Sequence, residues 1–583
     1  MSSVSQPTLT SPNARRILPY AAILAAALLA ILPLLLHGPS CGHDLPFHLL
    51  NWMDAAHQWR AGVLRPWWCA AAAWNAGEAR FLFYPPLSWT LGGLLTAAFG
   101  AARAPLAYTF VALALCGVTM RRFLSEFVSA PLALVGGCLY LAHPYLLFTA
   151  TERTAYAELL ASAWLPWMLR ELFRERISAA RLALPVALLW LTNTPSSVLA
   201  TYTLAVVLGV RAAVALRRGQ PLLRPLLLPA VAGYLWGVAL SAIFLLPALV
   251  QHSAVEVGQA FSSGMRPEDG TLFTHTGEPL HDQVVHQASI LAVLLVGAAA
   301  LAGLLWLAQR GRTERLHGMR DLTLQRSAGK GIVQPAFLLL TVLVTFLLTP
   351  ASLLLWHHLP ELHFLQFPWR ILMLQGVLTV ASIVSAIRVR LRYRVAIPVA
   401  LLAVFALSFA AHHSYAQACD DEDLPTSLQA QYTSGSGFEP YDEYTPRDAD
   451  NDLLHPGEPA AWTAEESSAP PPPVAQAHAH AVGTGSPGIL TIQAEPRPGD
   501  HFLIVRQRAF RNWHVILDGV PVPQTVDRDD DLLAVPITGG VPHTLTLRYE
   551  WSPDQVAGVV ISLLATGGFV VIRRPARRQL EAP

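Results

Sequence analysis

The stretch "RRILPYAAILAAALLAILPLLLHGPSCGHDLPFHLLNW", residues 15–52, decides how the rest of the chain is read. Arg15 and Arg16 precede an apolar run, Ile17 to Leu36, long enough to cross a bilayer as a helix. The run exceeds a signal-peptide core, and "LLLHGPSCG" is a poor small-residue cleavage site, so it reads as a retained helix with a cytoplasmic N-terminus. Immediately beyond it the chain turns polar and aromatic. Asp44, His48, Asp54 and His57 share residues 41–68 with Phe47, Trp52, Trp59, Trp67 and Trp68. A membrane protein thus places acids, imidazoles and aromatics just outside its first helix.

Composition extends that reading to the whole chain of 583 residues. It is 53% hydrophobic and 14% charged, with mean hydropathy +0.40, where a soluble protein carries about a quarter charged residues. Further apolar runs fall near 103–121, 131–149, 156–171, 180–195, 197–215, 226–249, 289–308, 333–356, 368–388, 394–412 and 555–573. Arginine clusters at 121–122, 170–181, 217–224, 310–326, 388–394 and 573–578 alternate with them. Placing every cluster in the cytoplasm orients the set. It gives about twelve spans, both termini inside, and outer segments 37–102, 150–156, 193–197, 250–288, 357–367 and 413–554. Residues 86–100 then form an interfacial or re-entrant helix, and a thirteenth span is the alternative. The excess of Arg over Lys and the abundant Ala read as the codon bias of a GC-rich bacterium and not as nucleic-acid chemistry. The expected location is therefore the bacterial cytoplasmic membrane.

The expected fold class is all-α and polytopic, with a small extracytoplasmic β-domain near the C-terminus. Residues 1–412 form the multi-span domain. Residues 413–488, rich in Asp, Glu, Pro, Ser and Gly and containing "APPPPVAQAHAHAVGTGSPG", read as an extracytoplasmic linker. Residues 489–554 alternate apolar and polar positions between Gly, Pro and Asp turns, as in "HFLIVRQRA" and "HTLTLRYEW", and predict a β-sandwich. Residues 555–583 add a last span and a basic tail. Cys116 and Cys138 fall inside spans. Cys41 and Cys69 share the first outer loop, where they either bridge or remain two free thiols.

Several side chains are candidates for chemistry. If 44–59 is an amphipathic helix on the membrane surface, Asp44, His48 and Asn51 share one face. Asp44 there serves as a general base, holds a divalent metal, or simply caps a helix that has Pro46 in its first turn. In "TERTAYAELLASAWLPW", Glu152 and Arg153 end one span and Glu158 lies just inside the next. A carboxylate at that depth needs a polar cavity or a partner. Arg153 either pairs with it or clamps a phosphate. In "WHHLPELHFLQFPWRILML", Arg370 suits an anionic headgroup or an interfacial anchor, and His357, His358, Glu361 and His363 lack the HExxH spacing. The 250–288 loop, with Glu256, His275, His281, Asp282 and His286, has the length of a substrate lid. Nucleotide-binding loops and serine-nucleophile elbows are absent from the sequence.

The order of motifs resembles a known group. "HDLPFHL" is followed by "W..G.LRP.W......N.G", by "FYPPL", by "ERTAYAELLA...LPW" and by "LQFPWR". Together they resemble the GT-C superfamily of polytopic glycosyltransferases, and within it the YfhO-like or "6-pyruvoyl-tetrahydropterin synthase-related" bacterial membrane proteins. "RNWHVILDGVPV" and "GGVPHTLTLRYEWSPDQVAGVVISLL" are similar to the C-terminal β-domain and closing helix of YfhO-like proteins. The resemblance implies transfer of a sugar from a polyprenyl-phosphate donor to a glycan, lipid or protein acceptor at the extracytoplasmic face. By position it puts the acidic catalytic group at Asp44. His43 stands where many members have a second acid, which weakens a metal-binding reading. The candidates around the base are His48, Glu152, Arg153, Glu158 and Arg370 for substrate or phosphate, and Trp67, Trp68 and Tyr84 for sugar contact. A non-catalytic lipid-linked glycan flippase and an envelope assembly factor are the alternatives.

Overall fold

Apolar runs punctuated by Pro, Gly and Arg clusters fold as helices, because a chain in lipid must satisfy its backbone within the segment. The computed structural model describes residues 12–573, except 257, 259–261, 263, 318–329, 390, 483–487 and 524–527. Among the described residues nine helices are long and apolar enough to cross a membrane. The count is ten if Val333–Leu347 and Pro350–His358, bent by 94°, form one span. The chain is a multi-pass membrane protein. Of the basic clusters expected to face the cytoplasm, Arg320, Arg326, Arg390, Arg574, Arg577 and Arg578 lie outside the described residues.

Two of the twelve expected spans are shorter than a crossing. The run 156–171 breaks into Tyr156–Ala161 and Trp164–Leu172, and 180–195 contains a 14-residue helix, Ala179–Thr192. The break follows from polar residues in the run: Ser162 Oγ bonds back to the Glu158 carbonyl at 3.0 Å. Trp164 Nε1 then donates to Thr192 Oγ1 at 3.0 Å, tying the short pieces together. The segment after "FYP" is a 14-residue helix, Pro86–Phe99. Elsewhere spans meet through small residues, as expected without a hydrophobic drive between helices. A Cβ on Gly137 would lie 2.6 Å from the Gly117 carbonyl oxygen, so Ala104–Leu124 and Ala130–Leu141 approach backbone to backbone.

The first helix, Pro12–His37, packs along Tyr393–Tyr415, and the His37 and His412 rings stack at 5.2 Å. Both helices therefore end side by side, which brings Cys41 to Cys419. These two form the disulfide, with Cα atoms 5.0 Å apart. The pairing of Cys41 with Cys69 is thus corrected: Cys69 is a buried free thiol whose Sγ lies 3.7 Å from Asn51 Oδ1. Alkylation of the unfolded, unreduced protein is expected to modify three of the five cysteines, Cys69, Cys116 and Cys138. Digestion should release one linked peptide pair holding Cys41 and Cys419. A pair holding Cys69 would refute the assignment.

Residues 45–60 form the helix that follows the first span, Leu45–Arg60, here called the lip helix. Its polar face is not open as on an amphipathic helix but is covered by protein. Eleven of its residues are buried, His48, Asn51 and Asp54 included. The cover is the stretch expected as a linker. After Cys419 the chain forms a tail helix, Pro425–Ser434, against the lip helix, and then buries Phe438 and Tyr444.

The β-domain also begins earlier than residue 489. Its strands are β1 (Ala461–Ala464), β2 (Ala479–Ala481), β3 (Ile489–Ala494), β4 (Phe502–Arg508), β5 (Trp513–Leu517), β6 (Val520–Val522), β7 (Leu532–Pro536) and β8 (His543–Tyr549). They make two antiparallel sheets, ordered β1-β4-β7 and β2-β3-β8-β5-β6. Leu503, Val505, Ile492, Leu545 and Leu547 are buried together between the sheets, and Ile504 and Ala534 are buried on the other face of β4 and β7, so that sheet is covered on both sides. A register shift in β4 between Val505 and Arg508 frees Arg506 and Gln507 from the ladder. They turn to the loop that follows the lip helix, where Arg506 Nε donates to the Trp74 carbonyl at 2.5 Å and Gln507 Nε2 to the Ala76 carbonyl at 3.2 Å. The last helix, Pro553–Arg573, packs on Ala242–Gln251, with Gln251 Nε2 donating to Asp554 Oδ2 at 2.6 Å.

Candidate functional site

Three chain segments meet where the lip helix begins. Ser40 Oγ donates to the Thr151 carbonyl at 2.8 Å, and Asp44 N donates to the Arg153 carbonyl at 2.9 Å. Gln417 N donates to Ser40 Oγ at 2.8 Å, next to the disulfide. Gly42 is required here, since a Cβ would sit 2.4 Å from the Glu152 carbonyl oxygen. Asp44 is the N-cap residue, but its carboxylate makes no capping hydrogen bond. It accepts none from any described residue and stays half-exposed. The capping explanation of Asp44 therefore fails, and its carboxylate is left for another use.

The groups within electrostatic reach of Asp44 are His48, Tyr84, Arg153, Arg370, Tyr441 and Glu443. Arg153 Nη1 donates to Glu158 Oε2 at 2.7 Å, and Tyr145 Oη donates to Glu158 Oε1 at 2.6 Å. Arg370 Nε lies 3.7 Å from Glu158 Oε2, too far for a hydrogen bond, and is buried with no hydrogen-bond partner. Arg370 Nη1 donates to Gln366 Oε1 at 2.8 Å. Two guanidiniums thus share one carboxylate beside Asp44. The turn that aims Arg153 is strained: Thr154, buried and not glycine, has φ 48° and donates its Oγ1 to the Arg153 carbonyl at 2.7 Å.

The tail supplies groups that the sequence reading missed. Burial holds the Glu443 carboxyl above the ordinary range; Arg370 opposes this and Asp44 adds to it. Tyr84, Tyr441 and Tyr444 all pack on Phe47, at 5.0, 4.9 and 6.1 Å between ring centres. Arg80 sits over Tyr441 at 4.8 Å and Phe47 at 5.2 Å, its charge met by Glu78 at 2.7 Å. The available signal was three tyrosines or phenylalanines in "GFEPYDEYTP", since a solvated linker is poor in aromatics.

The other expected residues separate. Glu152 is buried beside the site, accepting from Gln417 Nε2 at 2.6 Å and lying 3.9 Å from His43 Nε2. Trp67 and Trp68 are corrected as sugar contacts. They are buried against the β-domain, Trp67 edge-on to Trp551 at 5.6 Å and Trp68 to Trp513 at 5.9 Å. His357 pairs with Glu268 at 2.9 Å and His275 with Asp282 at 3.5 Å, linking the 250–288 loop to itself and to the 357–367 segment. Among the described residues no three His, Cys, Asp or Glu side chains converge as a metal site. The groups around Asp44 include two guanidiniums, so this donor set does not fit a divalent ion.

His48 is buried, and burial pushes its imidazole down to about 4; Asp44 opposes the shift and Arg153 adds to it. At neutral pH it offers an N–H, not a cation, to any phosphate. In the unfolded chain the imidazole takes its proton near pH 6.5, in the folded chain only near 4. Its contribution is therefore full above pH 6.5 and lost as pH falls toward 4, about 3 kcal/mol in all. The thermal midpoint of the wild type should fall between pH 7 and 4.5 more steeply than that of His48→Gln. Parallel curves would count against this.

A further cavity, of about 560 Å³, opens beside the C-terminal half of the lip helix, between it and the tail helix.

No family model matches the chain, and no curated protein matches it. Among solved structures it is similar to the arabinofuranosyltransferase AftD from Mycobacteria, determined by single-particle cryo-electron microscopy. The identity is 17% and the TM-score 0.40, over 74% of this chain and 27% of that one. A mutant form of the same enzyme matches at 17% identity and TM-score 0.38, over 69% and 28%. The chain thus spans about a quarter of the length of the solved chains it matches.

Proposed function

We propose that the chain is a GT-C-type, YfhO-like glycosyltransferase of the bacterial cytoplasmic membrane. In this reading it moves a sugar from a polyprenyl phosphate to a glycan, lipid or protein acceptor on the extracytoplasmic face. The observation that carries it is the free carboxylate of Asp44 beside Arg153 and Arg370, two cations that share the single counter-charge of Glu158. Asp44 takes the proton of an acceptor hydroxyl. The oxygen forms its bond to the anomeric carbon as the carbon–oxygen bond to phosphate breaks, with inversion. The leaving phosphate keeps the electron pair and is stabilised by Arg153 and Arg370. Tyr84 and Tyr441 flank the sugar, and Glu443 provides a second acidic group. The Cys41–Cys419 bridge supports an oxidising, extracytoplasmic side for the lip helix and the tail.

The test compares cells with and without the chain by mass spectrometry of envelope glycans and of lipid-linked sugars. Loss of one sugar from a glycan, with its lipid-linked donor accumulating, is the expected result, and the missing mass names the sugar. An unchanged glycan with donor trapped on the cytoplasmic face would favour a flippase. No change in either pool would sink the transferase reading.

A further inference from the structure

The 560 Å³ cavity lies within the size range of small-molecule sites. Its walls come from four parts of the chain: the lip helix, residues 70–75, residues 96–101 at the end of Pro86–Phe99, and the tail helix with the two glycines that follow it, Gly435 and Gly437. Asp54 stands in one wall but is not free. Its Oδ2 accepts from Gln58 Nε2 at 2.8 Å and Ala70 N at 3.2 Å, and its Oδ1 from Tyr432 Oη at 3.1 Å. It holds the lip helix, the 70–75 turn and the tail helix together and leaves their polar groups facing the space.

The 70–75 wall is built at a cost. Ala73, Trp74 and Asn75 follow one another at φ 51°, 52° and 71°, a left-handed run that only glycine adopts freely. The tail enforces it. Trp74 N donates to the Phe438 carbonyl at 2.9 Å, Phe438 N to the Ala71 carbonyl at 3.0 Å, and Asn75 Nδ2 to the Gly435 carbonyl at 2.9 Å. Strain of this kind persists where surrounding contacts over-determine it, and it clusters at ligand sites.

The lining selects the ligand class. His57, Asn75, Gln429, Tyr432 and Thr433 bring hydrogen-bonding groups to the space, and the remaining wall is mostly alanine and glycine. A phosphate would call for more cations than the single Arg60. An acyl chain would call for large apolar side chains, of which Met53 is the one present among the lining residues. A neutral, hydroxyl-rich ligand uses amide, hydroxyl and imidazole groups around a small-residue floor. We propose that this cavity is an acceptor subsite holding one or two sugar residues of a glycan, ten residues along the lip helix from Asp44. At 1.5 Å per residue the helix places it about 15 Å along the axis from the reacting centre. The proposal rests on the transferase reading: the acceptor's end lies at Asp44 and its preceding sugars extend to Tyr432.

The test uses the full chain in nanodiscs. The probe is the oligosaccharide pool released from the envelope of cells lacking the chain, labelled fluorescently at its reducing ends. Binding is read by anisotropy in wild type, in Thr433→Trp, which plugs the cavity from an exposed tail-helix position, and in Gln429→Ala with Thr433→Ala, which removes two exposed polar groups. Both variants should bind about tenfold more weakly or worse. No binding by wild type, or equal binding by Thr433→Trp, overturns the subsite. Transfer by Asp44→Asn, measured in parallel, separates the two readings. If Asp44→Asn abolishes transfer while Thr433→Trp binds normally, the subsite falls and the transferase stands. If Asp44→Asn transfers normally while Thr433→Trp loses the pool, the transferase reading falls and the cavity remains a glycan site.

Discussion

Asp44→Asn is expected to lower sugar transfer by about two to four orders of magnitude, the range associated with a positioned acid or base. The amide is close in shape to the carboxylate but takes no proton from an acceptor hydroxyl. Folding should survive, because the Asp44 side chain caps nothing and accepts no hydrogen bond from any described residue. Its backbone N–H, which does bond to Arg153, is unchanged by the substitution. The measurement is the initial rate of transfer from extracted lipid-linked sugar by purified protein, normalised to the amount that elutes as a single species. Glu443→Gln is the companion variant, since Glu443 and Asp44 share the influence of Arg370. A deficit in Glu443→Gln with Asp44→Asn near wild type would move the base from the lip helix to the tail. Near-normal rates in both would remove acid–base catalysis by this cluster altogether.

What the sequence made legible in the site is what a local signal carries. A charged residue in an apolar run demands a partner, so Arg153 and Glu158 were visible, and they meet at 2.7 Å. Pro46 in the first turn and the polar residues around it marked the lip helix. The hidden parts are those made by distant chain. Cys41 meets Cys419 because two spans pack side by side, and no spacing rule encodes that. Glu443 and Tyr441 lie in an acidic, proline-rich stretch whose composition resembles a solvated linker, yet they close over Phe47 and Tyr84. Trp67 and Trp68 look like interface or sugar-binding aromatics until Trp551 covers the first and β5 and Phe510 cover the second.

Glu78→Gln should cost about 3–5 kcal/mol, the scale for breaking a buried ion pair from one side. Glu78, Arg80 and Arg508 are all fully buried. Glu78 Oε2 accepts from Arg80 Nε at 3.0 Å and Nη2 at 2.7 Å, and Oε1 accepts from Tyr441 N at 3.0 Å. Arg508, at the end of β4, places Nη1 3.9 Å from the same Oε1 and bonds Asn451 through Nη2. One carboxylate therefore serves two buried guanidiniums and joins the loop after the lip helix, the tail and the β-domain. Neutralising it leaves both cations without their nearest counter-charge. The expected signs are a lowered thermal midpoint, faster proteolysis within 413–554 and a changed environment of Trp68, which the β-domain covers. Transfer should fall as well, because Tyr441 N bonds to Glu78 and Glu443 follows two residues later. Replacing all three, as Glu78→Leu, Arg80→Met and Arg508→Met, removes the charges together and should recover most of the stability. The recovered protein would then say whether Arg80, boxed by aromatics beside the site, has a role of its own. Wild-type stability in Glu78→Gln would mean instead that Trp68, Phe510 and Trp513 hold the β-domain by packing alone.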